Sequence, residues 1–217
     1  MVSRRLIALI LAVLAISIPV LGQNNKTEPI GAFADPSAAE ALKKVLEPKG
    51  YRVTIGDGPY CDIWLRAGIA AGKSDTQGAV YTTIGESAFV GVITFARATT
   101  DFRGQAVKAG IYTLRYAVHP ADGNHLGISP IRDFLVLVPV ALDQNPDAQP
   151  KFDELTKMSA KVAGTNHPAV ISLVQAEAGS APKLVEEGSH VVFSSKAKSQ
   201  TGGDLSIAFV VKGIAEQ

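Results

Sequence analysis

Residues 51–66 read YRVTIGDGPYCDIWLR, and the repeat of their apolar residues decides the fold. Tyr51, Val53 and Ile55 alternate with Arg52 and Thr54, and Cys61, Ile63 and Leu65 alternate with Asp62, Trp64 and Arg66. A period of two sends alternate side chains to opposite faces of an extended chain. Gly56-Asp57-Gly58-Pro59 between the two runs is turn chemistry, so the stretch predicts a β-hairpin.

The same period recurs at 79–84, 88–96, 111–118, 132–140, 169–175, 190–195 and 205–212. In the last run Leu205, Ile207, Phe209 and Val211 share a face. Phe134 to Val140 is apolar on both faces, which suits a central strand. Two stretches change to helical spacing. Asp35-Pro36 is a helix-start signal, Ala38, Leu42 and Val45 follow at helical intervals, and Pro48-Lys49-Gly50 stops the run, predicting a helix near 36–47. Phe152, Leu155, Ser159 and Val162 share a face between Pro150 and Gly164, predicting a second helix over 151–162. Nine strands and two short helices predict a mainly β domain, a β-sandwich or jelly-roll-like fold, over residues 35–217. Residues 23–34 are polar and read as a flexible leader. Glu186-Glu187 reads as a solvated turn before the strand at His190.

At the other end of the chain, Arg4 and Arg5 precede an apolar run from Leu6 to Val20, and Val20-Leu21-Gly22 suits a cleavage site. This pattern predicts a secretory signal peptide over 1–22, cut after Gly22, and a secreted or periplasmic product with no membrane span after cleavage. Lys and Arg number 21 against 20 Asp and Glu, a formal charge of +1 that drops to −1 without Arg4 and Arg5. That balance gives no electrostatic footprint for a nucleic-acid partner. One cysteine excludes an intramolecular disulfide framework and a Cys-rich zinc site. Cys61, in a predicted strand with no nearby base, reads as an inert buried thiol.

No nucleophile elbow, phosphate loop, dinucleotide fingerprint or EF-hand loop is present in the sequence. Chemistry-bearing residues concentrate in HPADGNHLGISPIRD, residues 119–133, which joins two predicted strands. Long loops on a rigid sheet often carry function. His119, Asp122, His125, Arg132 and Asp133 lie there, and His167 lies in a second island, Thr165-Asn166-His167-Pro168. If the islands meet, His119, His125 and His167 supply the imidazoles of a metal site beside Asp122. The spacing matches no recognised ligand signature, and the same residues could equally satisfy loop backbone groups. Arg132 suits either an ion pair with Asp133 or Asp122, or a ligand carboxylate.

Residues 109–116, AGIYTLRY, followed by HPADGNHLGISPIRDFLVLVP, and then AGTNHPA at 163–169, keep the order of two separated motifs. Over roughly 100–217 the chain resembles a group of secreted proteins of environmental Gram-negative bacteria with an AGxYTLRY…DGxHxGxSPxRDF core and a later AGTxHPA element. The AGxYTL piece more broadly resembles a β-rich bacterial domain. Neither resemblance implies an activity or a catalytic residue. Three functions are therefore expected in order. The first is a binding or accessory module for a glycan, small molecule or envelope protein, the second a metal-dependent hydrolase using the His/Asp loop, and the third a structural envelope protein.

Overall fold

The structure is a computed structural model and describes residues 25–72, 78–119, 129, 131–179 and 181–215. In chain order the strands and helices are β1 (Lys26–Ile30), α1 (Glu40–Val45), β2 (Gly50–Ile55), β3 (Gly58–Leu65), β4 (Phe89–Phe95), β5 (Thr99–Thr100) and β6 (Ala106–Val107). There follow β7 (Gly110–Val118), β8 (Asp133–Pro139), α2 (Phe152–Ala163), β9 (Ala169–Val174), β10 (Lys183–Glu187), β11 (His190–Lys198) and β12 (Asp204–Lys212).

Ten of the strands form one antiparallel sheet in the order β1-β2-β3-β4-β7-β8-β9-β12-β11-β10. It curls until its two edges, β1 and β10, approach each other, so the sheet is nearly closed into a barrel. The mainly β, sandwich-like fold with two helices is as the alternation predicts, the facing layers being halves of one sheet. The first seven strands follow in order along the sheet, and β10-β11-β12 then return so that β12 lies beside β9, a Greek-key arrangement.

Period-two alternation divides each strand between two environments. Inward-facing Ile63, Ile93, Leu114, Tyr116, Leu135, Phe193 and Phe209 fill the interior. Outward-facing Phe134, Val136, Val138 and Val210 form a second core under Leu155 of α2. Trp64, Phe89 and Val92 form a third under Phe33 and Leu42 around α1. The double-sided burial explains why Phe134–Val138 is apolar at every position.

Four local expectations need correction. Residues 26–30, expected in the flexible leader, pair with β2 from Lys26 opposite Thr54 to Ile30 opposite Gly50. As an edge strand β1 needs partners on one side only, so its sequence carries no strong alternation, and Pro29 is tolerated. Glu186-Glu187 belongs to β10 rather than a turn, again an edge where charges blunt unwanted pairing. Residues 79–84, expected as a strand, make only an isolated bridge between Ala71 and Ile84. Their apolar side chains Tyr81 and Ile84 are buried as a plug against the interior. The first helix begins at Glu40, because Asp35 Oδ1 accepts from the Ser37 amide at 2.9 Å and from its hydroxyl at 2.6 Å. Those bonds make a turn ahead of the helix.

The second helix ends as predicted. Gly164 takes φ 68° and its amide donates to the Ala160 carbonyl at 2.9 Å, a left-handed C-cap that favours glycine. At Gly91 the requirement is space, since a Cβ there would collide with the Trp64 carbonyl where β4 pairs with β3. Among the described residues no helix is long and apolar enough to cross a membrane.

Candidate functional site

The strand register locates both polar islands. The His119 amide donates to the Arg132 carbonyl at 2.9 Å and extends the β7–β8 ladder, so these residues mark one end of the barrel. Ala169, the first residue of β9, lies opposite Leu137, five residues farther along β8. At about 3.3 Å per residue that is roughly 17 Å of strand, and His167 precedes Ala169 toward the opposite end. A shared metal ion needs bonds of about 2 Å. His119 and His167 therefore do not join in one site. Asp122 and His125 lie outside the described residues. Among the described residues no group of three His, Cys, Asp or Glu side chains is placed to hold a metal ion.

The side chains of Asp133, Arg132 and His119 each have a structural partner. Asp133 is fully buried, and its Oδ1 accepts from the Tyr81 amide at 2.9 Å and the Tyr116 hydroxyl at 2.8 Å. Its Oδ2 accepts from the Val80 amide at 2.8 Å. The carboxylate thus pins the 80–81 plug to the barrel. Arg132 does not engage that carboxylate. Its Nε donates to the His119 carbonyl at 2.9 Å, and its Nη2 reaches the same oxygen. The His119 ring stacks on Phe134, with centroids 4.2 Å apart.

His167 is exposed, and its amide donates to Thr165 Oγ1 at 3.2 Å. This island is tied to the β5–β6 hairpin. Gln105 Nε2 donates to the Pro168 carbonyl at 3.0 Å and to Asp101 Oδ2 at 2.9 Å. Buried Asp101 also accepts from the amides of Val170, Gln105 and Arg103.

Several polar groups that matter were not singled out by the sequence. Arg115 is fully buried and gives two hydrogen bonds to Asp143 and three to the carbonyls of Ser87, Asn145 and Ala148. Arg66 donates to the Pro146 carbonyl at 2.9 Å and to Asp147 at 2.6 Å. Two arginines on the outer sheet face thereby fasten the 143–148 loop. Their only sequence signal is a charge at an alternate position of an otherwise apolar strand. Tyr81 sends its hydroxyl to the Val174 carbonyl at 2.7 Å and accepts from the Ala208 amide at 3.0 Å. It bridges β9 and β12, which pair only at Ala208–Val174 and Phe209–Leu173. Burial pushes its pKa from 10.0 up to about 12. Burial also pushes the Cys61 thiol well above its ordinary range, so the inert-thiol expectation agrees with an interior position. Trp64 packs on Phe33, and its Nε1 donates to the Gly31 carbonyl at 2.9 Å, which makes it part of the core.

A different place presents unengaged chemistry. The barrel edges meet where Asn25 reaches Glu186 and Thr27 reaches the Pro182 carbonyl. Past β10 the seam opens into a cleft of about 240 Å³. Glu47, Lys49 and Tyr51 line one wall, and Lys196, Lys198 and Asp204 the other. The Tyr51 ring rests on Phe193 with centroids 5.8 Å apart, which seats it at the edge of the core. Lys49, Lys196 and Lys198 are exposed and make no ion pair or side-chain hydrogen bond with a described residue. Three ammonium groups, two carboxylates and an aromatic ring around one recess can bind a polar ligand. They include no nucleophile–base pair.

Comparison of the chain with protein-family models, with curated proteins and with solved structures gives no match.

Proposed function

We propose that the protein is a secreted or periplasmic binding module whose ligand face is the seam cleft. The observation that carries this reading is the contrast between two polar regions. Around Asp133, Arg132 and His119 the polar atoms are engaged in holding loops, whereas Lys49, Lys196 and Lys198 surround a recess without described partners. The signal-peptide pattern of residues 1–22 and the resemblance to secreted bacterial proteins support the compartment. A mature chain starting at Gln23 is expected when the protein is exported.

The test is amide shift mapping with a panel of neutral sugars, acidic sugars and small carboxylates. Shifts concentrated at 47–51 and 196–198 support the reading. Shifts concentrated at 119–133 or 165–168, or no shift with any ligand, overturn it.

A further inference from the structure

We infer that the seam cleft takes an acidic sugar, a pyranose ring carrying a carboxylate. This inference rests on the binding-module reading and specifies its ligand.

The charges on the two walls select the class. Lys49 approaches from the β2 side and Lys196 and Lys198 from β11, so a carboxylate in the recess can meet ammonium donors from both walls. Glu47 and Asp204 share the same recess. A bare inorganic anion would be repelled by those two side chains. A sugar acid uses them, because ring hydroxyls donate to carboxylate oxygens. Tyr51 supplies an aromatic surface whose apolar body can cover a ring face.

Backbone geometry adds an independent reason. The β10 ladder on β11 reaches Ser194, opposite Lys183. The next bond given by a neighbour on that flank is from the Ile69 amide to the Lys198 carbonyl, at 2.8 Å. At Lys196, which pairs with Ser206 of β12 on its other side, no described strand lies beside β11 on this flank. The Lys196 carbonyl accepts from the Ser195 hydroxyl at 3.1 Å, and the open flank leaves room for a hydroxyl-rich ligand to add a second bond to it. The gap is too short for an added β-strand, which would run into Ile69, so an extended peptide is the poorer occupant. The volume of about 240 Å³ lies below the roughly 300–1,000 Å³ of pockets that enclose drug-sized ligands, which suits one ring of a short acidic oligosaccharide, its other rings lying outside the recess.

Calorimetric titration with trigalacturonate, neutral galactotriose and inorganic phosphate tests the inference, with shift mapping to place each ligand. Trigalacturonate is expected to bind at least about tenfold more tightly than galactotriose, a difference of about 1.4 kcal/mol. Lys196→Gln/Lys198→Gln should abolish that preference, with the thermal transition unchanged because both side chains are exposed. Glu47→Gln/Asp204→Asn should weaken trigalacturonate while leaving phosphate no weaker. Equal binding of trigalacturonate and galactotriose in the cleft overturns the acidic-sugar inference and leaves the binding-module reading standing. Phosphate binding as tight as trigalacturonate overturns it in favour of a plain anion site. Absence of binding by all three overturns it as well, and the wider ligand panel then decides the binding-module reading separately.

Discussion

The guanidinium of Arg115 and the carboxylate of Asp143 meet through hydrogen bonds of 2.7 and 2.8 Å, with both side chains withdrawn from solvent. Thr113 gives a third bond to the same carboxylate at 2.6 Å. Arg115 projects from β7 on the outer face of the sheet, and Asp143 begins the loop that crosses it. The pair therefore decides where the 143–150 segment lies. Asp143→Ala leaves the guanidinium buried with two bonds missing and should destabilise the fold by about 3–5 kcal/mol. Urea unfolding checks this, and the joint variant Arg115→Met/Asp143→Leu should recover much of the loss. A single-variant effect below about 0.5 kcal/mol, the range of surface changes, would show that the loop is fastened elsewhere.

Asp133 acts on the plug in a similar way. Its three bonds hold Val80, Tyr81 and Tyr116. Asp133→Ala should cost about 1–3 kcal/mol for each buried donor left unsatisfied. Hydrogen exchange should accelerate at the amides of 80 and 81 more than in β11. Uniform acceleration along the whole sheet would contradict a plug-specific role.

Leu114 is fully buried in the interior and tests the register of the sheet. Leu114→Ala should destabilise by roughly 2–5 kcal/mol, while an outward exposed position such as Lys212→Ala should stay within about 0.5 kcal/mol. Equal effects at both would mean that the inward and outward faces are misassigned.

The pH dependence follows from two buried acids that hold their protons more tightly in the folded chain. Burial raises the Cys61 thiol well above 9.0 and Tyr81 from 10.0 to about 12. Above the ordinary values the unfolded chain ionises these groups first and binds fewer protons, so stability falls as pH rises. Their contribution is complete at pH 8 and is lost progressively above the ordinary thiol and phenol values, through the Tyr81 value near 12. Urea midpoints measured at pH 8 and pH 10.5 should decrease, and Tyr81→Phe should reduce the slope. A rise in stability over that interval would contradict the burial of both groups.

Much of the fold was legible because alternation and burial coincide. Leu205, Ile207, Phe209 and Val211 share a face in the sequence, and Ile207, Phe209 and Val211 are core residues in the structure. The second helix was equally plain, since Leu155, Ser159 and Val162 are its buried face and Gly164 its stop. The edges were hidden for a physical reason. One-sided pairing leaves β1 and β10 polar, so Pro29 and Glu186 read as loop residues. The 79–84 stretch misled because Tyr81 and Ile84 are buried without joining a ladder. The site was less legible than the fold. His119 and His167 look adjacent in chemistry, but the β8–β9 register sends them to opposite ends. Tyr51 and Lys196 look unrelated, being brought together only by the curling of ten strands. Long-range closure of that kind leaves no local pattern.

The most direct test of the binding account is competitive chemical labelling of lysines, followed residue by residue by mass spectrometry, with and without trigalacturonate. The account predicts that labelling slows together at Lys49, Lys196 and Lys198, which share the cleft, while Lys157 on α2 and Lys212 at the end of β12 label at unchanged rates. Unchanged labelling at all three cleft lysines, or slowing that is the same at every exposed lysine, would contradict a ligand face at the barrel seam.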